Sequence, residues 1–380
     1  MARRLLSRNS RRSSGVALRP RRRSVAMLSP SPADRLVPLP PVCDLTVSHK
    51  VIGDSGIGLC CTSPFGEGLE EVSMALVGIE EVTYGVDDLD TVDKFFSDFG
   101  LETVDRARSG ATFGTPESTM IHVRPATDSD LPGALEPGST LREVIWGVDS
   151  KESLDAIEAN LSTDRTVTRD ANNVLHTVDE TGYGIGFRVS TQTPVHLEPL
   201  TFNTIGATVR HNERFKLYER AAPQHIGHVV IYAPNFDEAF AFYTQRLGFM
   251  VSDTLRDLDS AQGFGAFLRC STDHHNLFLI RHNRTGFNHL SFGVHGIDEI
   301  MGGFTFLSKQ GWTPAWGLGR HFIGSNIFYY FRNPAGGYVE YYADMDCILD
   351  PASWKPGEFP HNTPEALFAW GGAPPKEFLE

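Results

Sequence analysis

Two histidines and one glutamate in the second half of the sequence have the residue types and the placing that a metal site needs. His228 lies in GHVVIY, His289 in NHLSFGV and Glu340 in GGYVEYY, three segments with the apolar, β-branched and aromatic content of strands. Two neutral imidazoles and one carboxylate on one face of a metal leave three adjacent positions open for a substrate and O2. This donor set predicts an Fe(II) site, with Mn(II) as an alternative that accepts the same ligands.

The segments that carry these residues occur twice in the chain. Each half contains a strand followed by an amphipathic helix, a second strand and helix, and a Gly-rich turn that enters a closing strand. The matching pairs of segments are 80–102 with 227–250, 141–161 with 288–311, and 179–190 with 333–344. The repeat predicts an α+β fold in which each half contains two βαβββ units.

The predicted organisation has five parts. A basic leader precedes two repeated halves, which are joined by a Pro-containing linker and followed by a proline-rich, aromatic tail. We expect the tail to cover the mouth of the second half or to form a subunit contact, and ordinary surface packing is the alternative. The parts are a leader at 1–73, a half without metal ligands at 74–195, a linker at 196–223, a catalytic half at 224–346 and a tail at 347–380.

The repeat provides an internal control for the metal interpretation. A single histidine in a strand is more often a structural hydrogen-bonding group than a ligand. In the first half, however, the positions equivalent to His228, His289 and Glu340 hold Glu81, Glu143 and Gly186. Packing of the module therefore does not require the histidines. We expect the two glutamates to be solvated or paired with basic neighbours, with a relic carboxylate pair as the alternative.

His225 is the rival of His228 as a ligand. The two residues are three positions apart, so they point to opposite faces of a strand and only one of them can face a cavity with Val230 and Tyr232. The surrounding sequence Gly-His-Val favours His228.

Four segments resemble the type I extradiol catechol dioxygenases, which belong to the vicinal oxygen chelate superfamily. They are GHVVIYAPNFDEAFAFYTQRLGF, FLRCSTDHHNLFLI, LGRHF followed by YYF, and NPAGGYVEYY. The spacing of His321, Tyr330 and Glu340, nine and then ten residues, is similar to the signature of that family. The resemblance implies two barrel-like domains built from paired βαβββ units, and Fe(II)-dependent opening of a catechol ring by O2 beside the diol.

The resemblance also implies roles for five further residues. His275 matches the acid/base histidine of the family, and a side chain with an ordinary pKa near 6.5 suits the proton transfers that a catechol requires. His321 and Tyr330 match the residues that hydrogen-bond the catecholate, while Phe267 and Val230 match the lining of the ring pocket.

Two features of the sequence weaken parts of this assignment. A solvated polar turn is the alternative for the His274-His275 pair, above all for His274, because Ser271-Thr272-Asp273 precedes it. In addition, Phe322-Ile323-Gly324 follows His321 where the family commonly has an Asn-Asp pair. This departure weakens the expected hydrogen bonding around His321 and leaves its orientation, or the substrate class, open, but it does not affect the metal ligands.

Composition limits the remaining possibilities. The 380 residues carry a net charge of −13, which argues against nucleic acid as a partner, and no apolar run is long enough for a transmembrane helix. Cysteines are too few after residue 73 for a disulfide framework, since only Cys270 and Cys347 remain. We expect a cytoplasmic protein that forms a homo-oligomer.

The leader has three interpretations. Residues 1–73 are rich in Arg and Ser and carry a net charge of +5, as expected of a mitochondrial transit peptide or of a disordered basic tail. Alternatively, translation starts at Met74, because the codons for Glu70-Glu71-Val72 can form a purine-rich ribosome-binding sequence.

Two other functions of the superfamily stay open from the sequence. One is a glyoxalase-like, metal-dependent isomerase or epimerase, whose ligands generally come from two modules and include more carboxylates. The other is a non-catalytic binder of small molecules that holds no metal. The identity of the catechol is not predicted.

Overall fold

A computed structural model of the chain describes residues 75–257, 259–260 and 262–378. The leader predicted at 1–73 and the alternative start at Met74 lie outside the described residues. Within the described part of the chain, no helix has the length and apolar character needed to cross a membrane.

The first half forms one mixed sheet of eight strands with two helices. Helix α1 buries Val92, Phe95, Phe96 and Phe99, the spacing of an amphipathic helix, and Gly100 ends it at a φ of 109°. The elements are β1 (Leu76–Val86), α1 (Leu89–Phe99), β2 (Glu102–Ala107), β3 (Gly110–Gly114), β4 (Met120–Pro125), β5 (Thr140–Val148), α2 (Lys151–Leu161), β6 (Thr168–Arg169), β7 (Leu175–Val178) and β8 (Gly184–Val189).

The second half forms a mixed sheet of nine strands with two helices. A short π-helical turn, Phe242–Arg246, continues α3. The elements are β9 (His225–Ala233), α3 (Phe236–Ala241), β10 (Met250–Arg256), β11 (Gly263–Arg269), β12 (Leu277–Arg281), β13 (Gly286–Gly293), α4 (Ile297–Lys309), β14 (Pro314–Arg320), β15 (Ile327–Arg332), β16 (Tyr338–Ala343) and, from the tail, β17 (Gly357–Pro360).

The two sheets have the same topology. The strand order is β2-β3-β4-β1-β5-β8-β7-β6 in the first half and, read in the same direction, β10-β11-β12-β9-β13-β16-β15-β14 in the second, where β17 adds one edge strand beside β10. In each sheet the first strands of the two βαβββ units are antiparallel neighbours at the centre. This confirms the predicted α+β fold with two βαβββ units in each half. The predicted domain boundaries stay predictions.

Strand register supports the residue equivalences drawn from the repeat. His228 of β9 lies opposite Ser291 of β13, and Ser291 is next to Glu340 of β16. At the same places in the first sheet, Glu81 lies opposite Ile145, and Ile145 is next to Gly186. The two halves therefore present equivalent positions, and only their side chains differ.

Aromatic packing joins the two halves. The rings of Phe99 and Tyr341 stack with their centroids 4.1 Å apart, and the Tyr341 hydroxyl donates a 2.5 Å hydrogen bond to the Phe99 carbonyl. Trp146 packs edge-on against Phe249 at 5.0 Å. These contacts extend one continuous apolar core across both sheets, which fixes the frame on which the second-half site is built.

Candidate metal centre

His228, His289 and Glu340 converge from three neighbouring strands of the second half, β9, β13 and β16. Glu340 Oε2 lies 3.1 Å from His228 Nε2 and 3.6 Å from His289 Nε2, and the two Nε2 atoms are 3.4 Å apart. All three side chains are buried. Among the described residues, they form the one group of three side chains placed closely enough to hold a metal ion.

The spacing of the three donor atoms fits one face of a metal's coordination shell. Bonds of about 2.1 Å place adjacent donors about 3.0 Å apart in octahedral and about 3.4 Å apart in tetrahedral geometry. The observed separations of 3.1, 3.4 and 3.6 Å lie close to these values. A single ion can therefore contact all three atoms with little rearrangement.

Neighbouring side chains orient two of the three candidate ligands. His289 Nδ1 donates to Asn288 Oδ1 at 2.6 Å, which leaves Nε2 unprotonated and directed at Glu340. The Asn288 amide nitrogen in turn donates to the Phe378 carbonyl at 2.7 Å. Ser291 donates to Glu340 Oε2 and Asn326 donates to Oε1 at 3.3 Å.

Burial keeps the imidazoles neutral, which is the form that binds a metal. It lowers the pKa of His228 and of His289 to about 3. His228 Nδ1 is also buried and has no hydrogen-bond partner among the described residues. The uncompensated nitrogens and the carboxylate together fit a cation, because a positive ion offsets the cost of burying them.

The residues predicted to bind substrate line one cavity beside the three candidate ligands. The cavity has a volume of about 60 Å³, and its walls include His275, His321, Tyr330, Phe267 and Val230. Phe267 stacks on Phe278 with centroids 4.0 Å apart and an interplanar angle of 4°. The structure thus brings all eight predicted site residues together.

His321 and Tyr330 form a fixed pair on one side of the cavity. His321 Nδ1 donates to the Leu367 carbonyl, so Nε2 is the accepting nitrogen and receives the Tyr330 hydroxyl at 3.0 Å. His321 Nε2 also lies 3.8 Å from Glu340 Oε1. Burial lowers the pKa of His321 and raises the pKa of Tyr330 well above 10. Both groups are therefore neutral at pH 7.

The solvated-turn alternative for His274 and His275 is wrong. Their side chains are 0% and 4% exposed, because the turn folds inward between β11 and β12. His275 lies against His228 with ring centroids 4.2 Å apart, and burial lowers the pKa of His275 well below 6.5. His274 bonds Asp253 through Nε2 at 2.8 Å and contacts His275 Nδ1 at 3.1 Å.

His225 stays outside this group. Its Nε2 hydrogen-bonds the Tyr342 hydroxyl at 2.7 Å, and its side chain is 27% exposed. The opposite-face argument from strand geometry therefore holds, and His228 is the histidine of β9 that faces Glu340.

The segment Phe322-Ile323-Gly324 replaces the expected polar pair without removing polar contacts from the site. Phe322 is 51% exposed, whereas Ile323 is buried and lines the cavity. Gly324 has a φ of 80°, and a Cβ there would lie 3.0 Å from His274 Nδ1, so a larger residue fits poorly. Asn326 supplies the amide that contacts Glu340, and its own Oδ1 is buried without a partner among the described residues.

The C-terminal tail closes the cavity. Ala366, Leu367 and Phe378 belong to its lining, and strand β17 of the tail pairs with β10. Phe378 is 5% exposed and packs against Tyr330 and Trp316 at 4.8 and 5.0 Å between centroids. Sequence reasoning missed Asn288, Asn326, Asp253 and Phe378. The His274-His275 pair could have indicated that one of the two histidines has a buried partner, which is Asp253. Asn288, Asn326 and Phe378 lie in no local sequence pattern that would identify them.

Comparison with known proteins finds a family whose model matches the part of the chain that carries this site. Residues 225–341 match the family model of the Glyoxalase/Bleomycin resistance protein/Dioxygenase superfamily. The chain is 32% identical to metapyrocatechase 2 of Cupriavidus necator over 50% of its own length and 56% of that protein. It is 31% identical to biphenyl-2,3-diol 1,2-dioxygenase of Paraburkholderia xenovorans (strain LB400) over 31% of its length and 40% of that protein. The chain thus spans about half the length of the curated relatives it matches.

Solved structures share the whole two-sheet arrangement. Homoprotocatechuate 2,3-dioxygenase from Arthrobacter globiformis superimposes with a TM-score of 0.65 at 18% identity, over 80% of this chain and 91% of that one. The Mn(II)-bound glyoxalase from Novosphingobium aromaticivorans gives 0.62 at 24% identity, over 80% and 93%. These likenesses establish the fold. Residues 225–341, which carry the His-His-Glu group, thus match the model of the Glyoxalase/Bleomycin resistance protein/Dioxygenase superfamily, and the chain shares the fold of these solved structures.

Proposed function

We propose that this protein is an extradiol dioxygenase that opens a catechol-type ring with O2, using Fe(II) held by His228, His289 and Glu340. The observation that carries the proposal is one small cavity in which this donor group meets His275 and the hydrogen-bonded pair of His321 and Tyr330. The curated relatives named metapyrocatechase and biphenyl-2,3-diol dioxygenase support the same reaction class.

Fe(II) bound there would supply Lewis-acid positions for both catechol oxygens and for O2 and let electron density pass between them. The protein's own contribution begins with binding. Phe267, Phe278 and Val230 present an apolar wall that suits the face of an aromatic ring, while the polar groups lie at the end of the cavity near Glu340. A catechol therefore enters with its diol towards the three candidate ligands.

His275 is the group that we assign to the proton transfers. Its ring centroid lies 4.2 Å from that of His228, and burial lowers the pKa of His275, so the ring is neutral before a catechol binds and has a nitrogen that can accept a proton. The same histidine can return that proton to a developing negative charge as the ring opens. Its contact with the buried His274 keeps the ring in place during both steps.

His321 and Tyr330 orient the catecholate. The Leu367 carbonyl fixes the tautomer of His321, so the His321 and Tyr330 pair is already formed before a substrate binds. The Tyr330 oxygen can then accept from a hydroxyl that the substrate retains, and the second N–H of the Asn326 amide can donate to a substrate oxygen near Glu340. Preorganised groups of this kind lower the barrier by avoiding reorientation during the reaction.

Three finer assignments form part of the proposal. We assign Fe(II) rather than Mn(II) to the site, although both accept these ligands. We assign the protein to the cytoplasm, since both described cysteines, Cys270 and Cys347, are free thiols. We also propose that any oligomer is a homo-oligomer, the usual composition of soluble oligomers.

The test is anaerobic reconstitution with Fe(II), followed by a spectral screen of catechols for a yellow ring-opened product on admission of O2. His228→Ala should abolish the product, whereas His225→Ala, which alters the same strand outside the site, should retain it. Failure of every catechol with an enzyme that holds stoichiometric iron would refute the reaction. Turnover of a glyoxalase substrate, or tight ligand binding without metal, would favour the isomerase or the binder instead.

A further inference from the structure

The first half contains a cavity of its own, about 1250 Å³ in volume, on the face of its sheet that corresponds to the site of the second half. Polar side chains from β1, β4, β5, β7 and β8 reach into it. They include Glu81, His122, Glu143, His176 and Arg188. None of these residues contributes to the proposed reaction.

The two cavities are built on equivalent strand positions. Tyr330 pairs with Glu340 in the second sheet, and His176 pairs with Gly186 in the first, so His176 occupies the place of Tyr330. By the same register, Glu81 and Glu143 occupy the places of His228 and His289.

The aromatic wall of the second cavity is replaced by polar or small residues. Phe267 and Phe278 are paired in the second sheet, and their counterparts Thr112 and His122 are paired in the first. Thr83 stands in the place of Val230. A flat apolar ring therefore loses its contacts here, whereas a polar ligand gains hydrogen-bond partners.

The lining of the first cavity is negative overall. It contains six carboxylates and two guanidinium groups, so carboxylates remain in excess even when both histidines are protonated. The two arginines are already paired, Arg188 with Glu81 and Arg124 with Asp128 at 2.5 Å. An anionic ligand is thus disfavoured, and a cationic one is favoured.

Glu143 is the deepest acceptor still available. It is 7% exposed, and its described hydrogen bond, from His176 Nδ1 at 2.7 Å, uses Oε1. Among the residues that the structure describes, no group hydrogen-bonds Oε2. This oxygen is therefore free to accept from an N–H donor on a bound ligand.

A metal ion does not fit this arrangement. Among the described residues, three donor atoms lie close enough together to hold a metal ion only in the group of His228, His289 and Glu340, which is not in this cavity. The acceptors of the first cavity are spread over its floor and rim, which suits an extended organic molecule with several N–H donors.

We propose that the first-half cavity is a second ligand site, which binds a small organic cation carrying primary amino groups. Glu143 accepts from one ammonium at the floor, and carboxylates at the rim, Asp105 and Asp170, attract the rest of the molecule. This site is independent of the metal centre and does not rest on the proposed function.

Isothermal titration calorimetry of the full-length protein with 1,4-diaminobutane at 150 mM NaCl tests the proposal. We expect saturable binding of one molecule per chain, and binding of choline, which lacks N–H donors, at least tenfold weaker. Glu143→Gln should weaken 1,4-diaminobutane at least fivefold. Thr83→Lys, which places an ammonium inside the cavity at a half-buried position, should abolish binding while leaving the melting temperature near that of the parent.

Glu152→Gln is the matched control, because Glu152 is exposed on α2 and its replacement removes the same charge. Its affinity should equal that of the parent. Absence of saturable binding would overturn the proposal. The proposal would also be overturned if Glu143→Gln and Thr83→Lys bound 1,4-diaminobutane as tightly as the parent. It would likewise be overturned if Glu152→Gln lost as much affinity as Glu143→Gln, because either result would mean that the diamine is attracted by the general surface charge.

Discussion

The Nδ1 atoms of His274 and His275 face each other at 3.1 Å, and His274 Nε2 lies 2.8 Å from Asp253 Oδ2. The carboxylate can only accept, so His274 carries its proton on Nε2 and accepts at Nδ1. His275 must therefore donate from Nδ1, which leaves its Nε2 as the basic nitrogen. A residue on β10 thus sets the tautomer of the proposed acid/base group two side chains away.

Replacing Asp253 with Asn should reverse this tautomer chain. In the parent, the Gly357 N–H donates to Asp253 Oδ1 at 2.6 Å, and the oxygen of the Asn side chain can still accept this bond. The Asn side chain presents an N–H to His274, however, where Asp253 presents an accepting oxygen. His275 Nε2 then becomes protonated and can no longer accept. We expect kcat to fall about 10–100-fold, the usual cost of a supporting hydrogen bond, with iron content unchanged.

Steady-state kinetics across pH would check this result, with Glu238→Gln, an exposed change on α3, as the control. Unchanged kcat and an unchanged pH profile in Asp253→Asn would show that the tautomer of His275 does not matter.

The metal-free protein should lose stability as the pH falls below 6.5. The pKa of His228 and of His289 is lowered to about 3 by burial, so the unfolded chain binds more protons than the folded chain between pH 6.5 and 3. The stabilisation is complete above pH 6.5 and is lost as the pH approaches 3. Between pH 7 and 5 the loss is on the order of 1–2 kcal/mol for each histidine.

Urea unfolding of the metal-free protein at pH 7 and 5 measures this dependence. The double variant His228→Asn with His289→Asn should show a flatter profile, because it removes both titrating groups. His176 changes the stability in the opposite direction with pH, because its hydrogen bond to Glu143 raises the pKa of His176. Its contribution cancels in the comparison, since both proteins contain His176. Identical slopes in the parent and the double variant would contradict the assignment.

Metal affinity should change little with pH between about 5 and 7.5. Protons compete with a metal only near the pKa of its ligands, and burial has already taken the pKa of His228 and His289 to about 3. Anaerobic titration with Fe(II) or Mn(II) at several pH values would measure the affinity. A tenfold loss for each unit of acidification would mean that the imidazoles are protonated near neutral pH.

The tail residue Phe378 should control substrate binding more than turnover. Its ring packs on Tyr330, and its carbonyl accepts from Asn288, so it closes the cavity beside His289. Phe378→Ala should destabilise the protein by roughly 3 kcal/mol, as buried Phe truncations do. We expect a raised KM for catechol and a smaller change in kcat.

Trp370→Ala is the matched control, since Trp370 also belongs to the tail but is 42% exposed. Equal KM values for Phe378→Ala, Trp370→Ala and the parent would show that the tail does not shape the site.

The fold and the candidate ligands were predictable because they depend on local pattern. Each βαβββ unit repeats its strand and helix signals, so the α+β assignment needed no tertiary information. His228, His289 and Glu340 stood out because the equivalent positions of the first half hold other residues. The structure confirms that the three side chains converge, and their role as ligands stays a prediction.

The surroundings of the site were not predictable, because they depend on contacts between distant segments. Asp253 and His274 are 21 residues apart and meet only when β10 packs beside the inward-folded turn. Phe378 reaches Asn288 across 90 residues of sequence. The polar residues Ser271-Thr272-Asp273 before His274 suggested a solvated turn, whereas the hydrogen-bond partner of His274 is Asp253 on β10.

The most direct test of the central claim follows oxygen into the product. The Fe(II)-loaded protein is given a catechol under ¹⁸O2, and the ring-opened product is analysed by mass spectrometry, with His228→Ala as the metal-free control. Ring cleavage by O2 predicts label in the new carboxylate and no product from the variant. An unlabelled carboxylate, or no ring-opened product from protein that holds stoichiometric iron, would contradict the account.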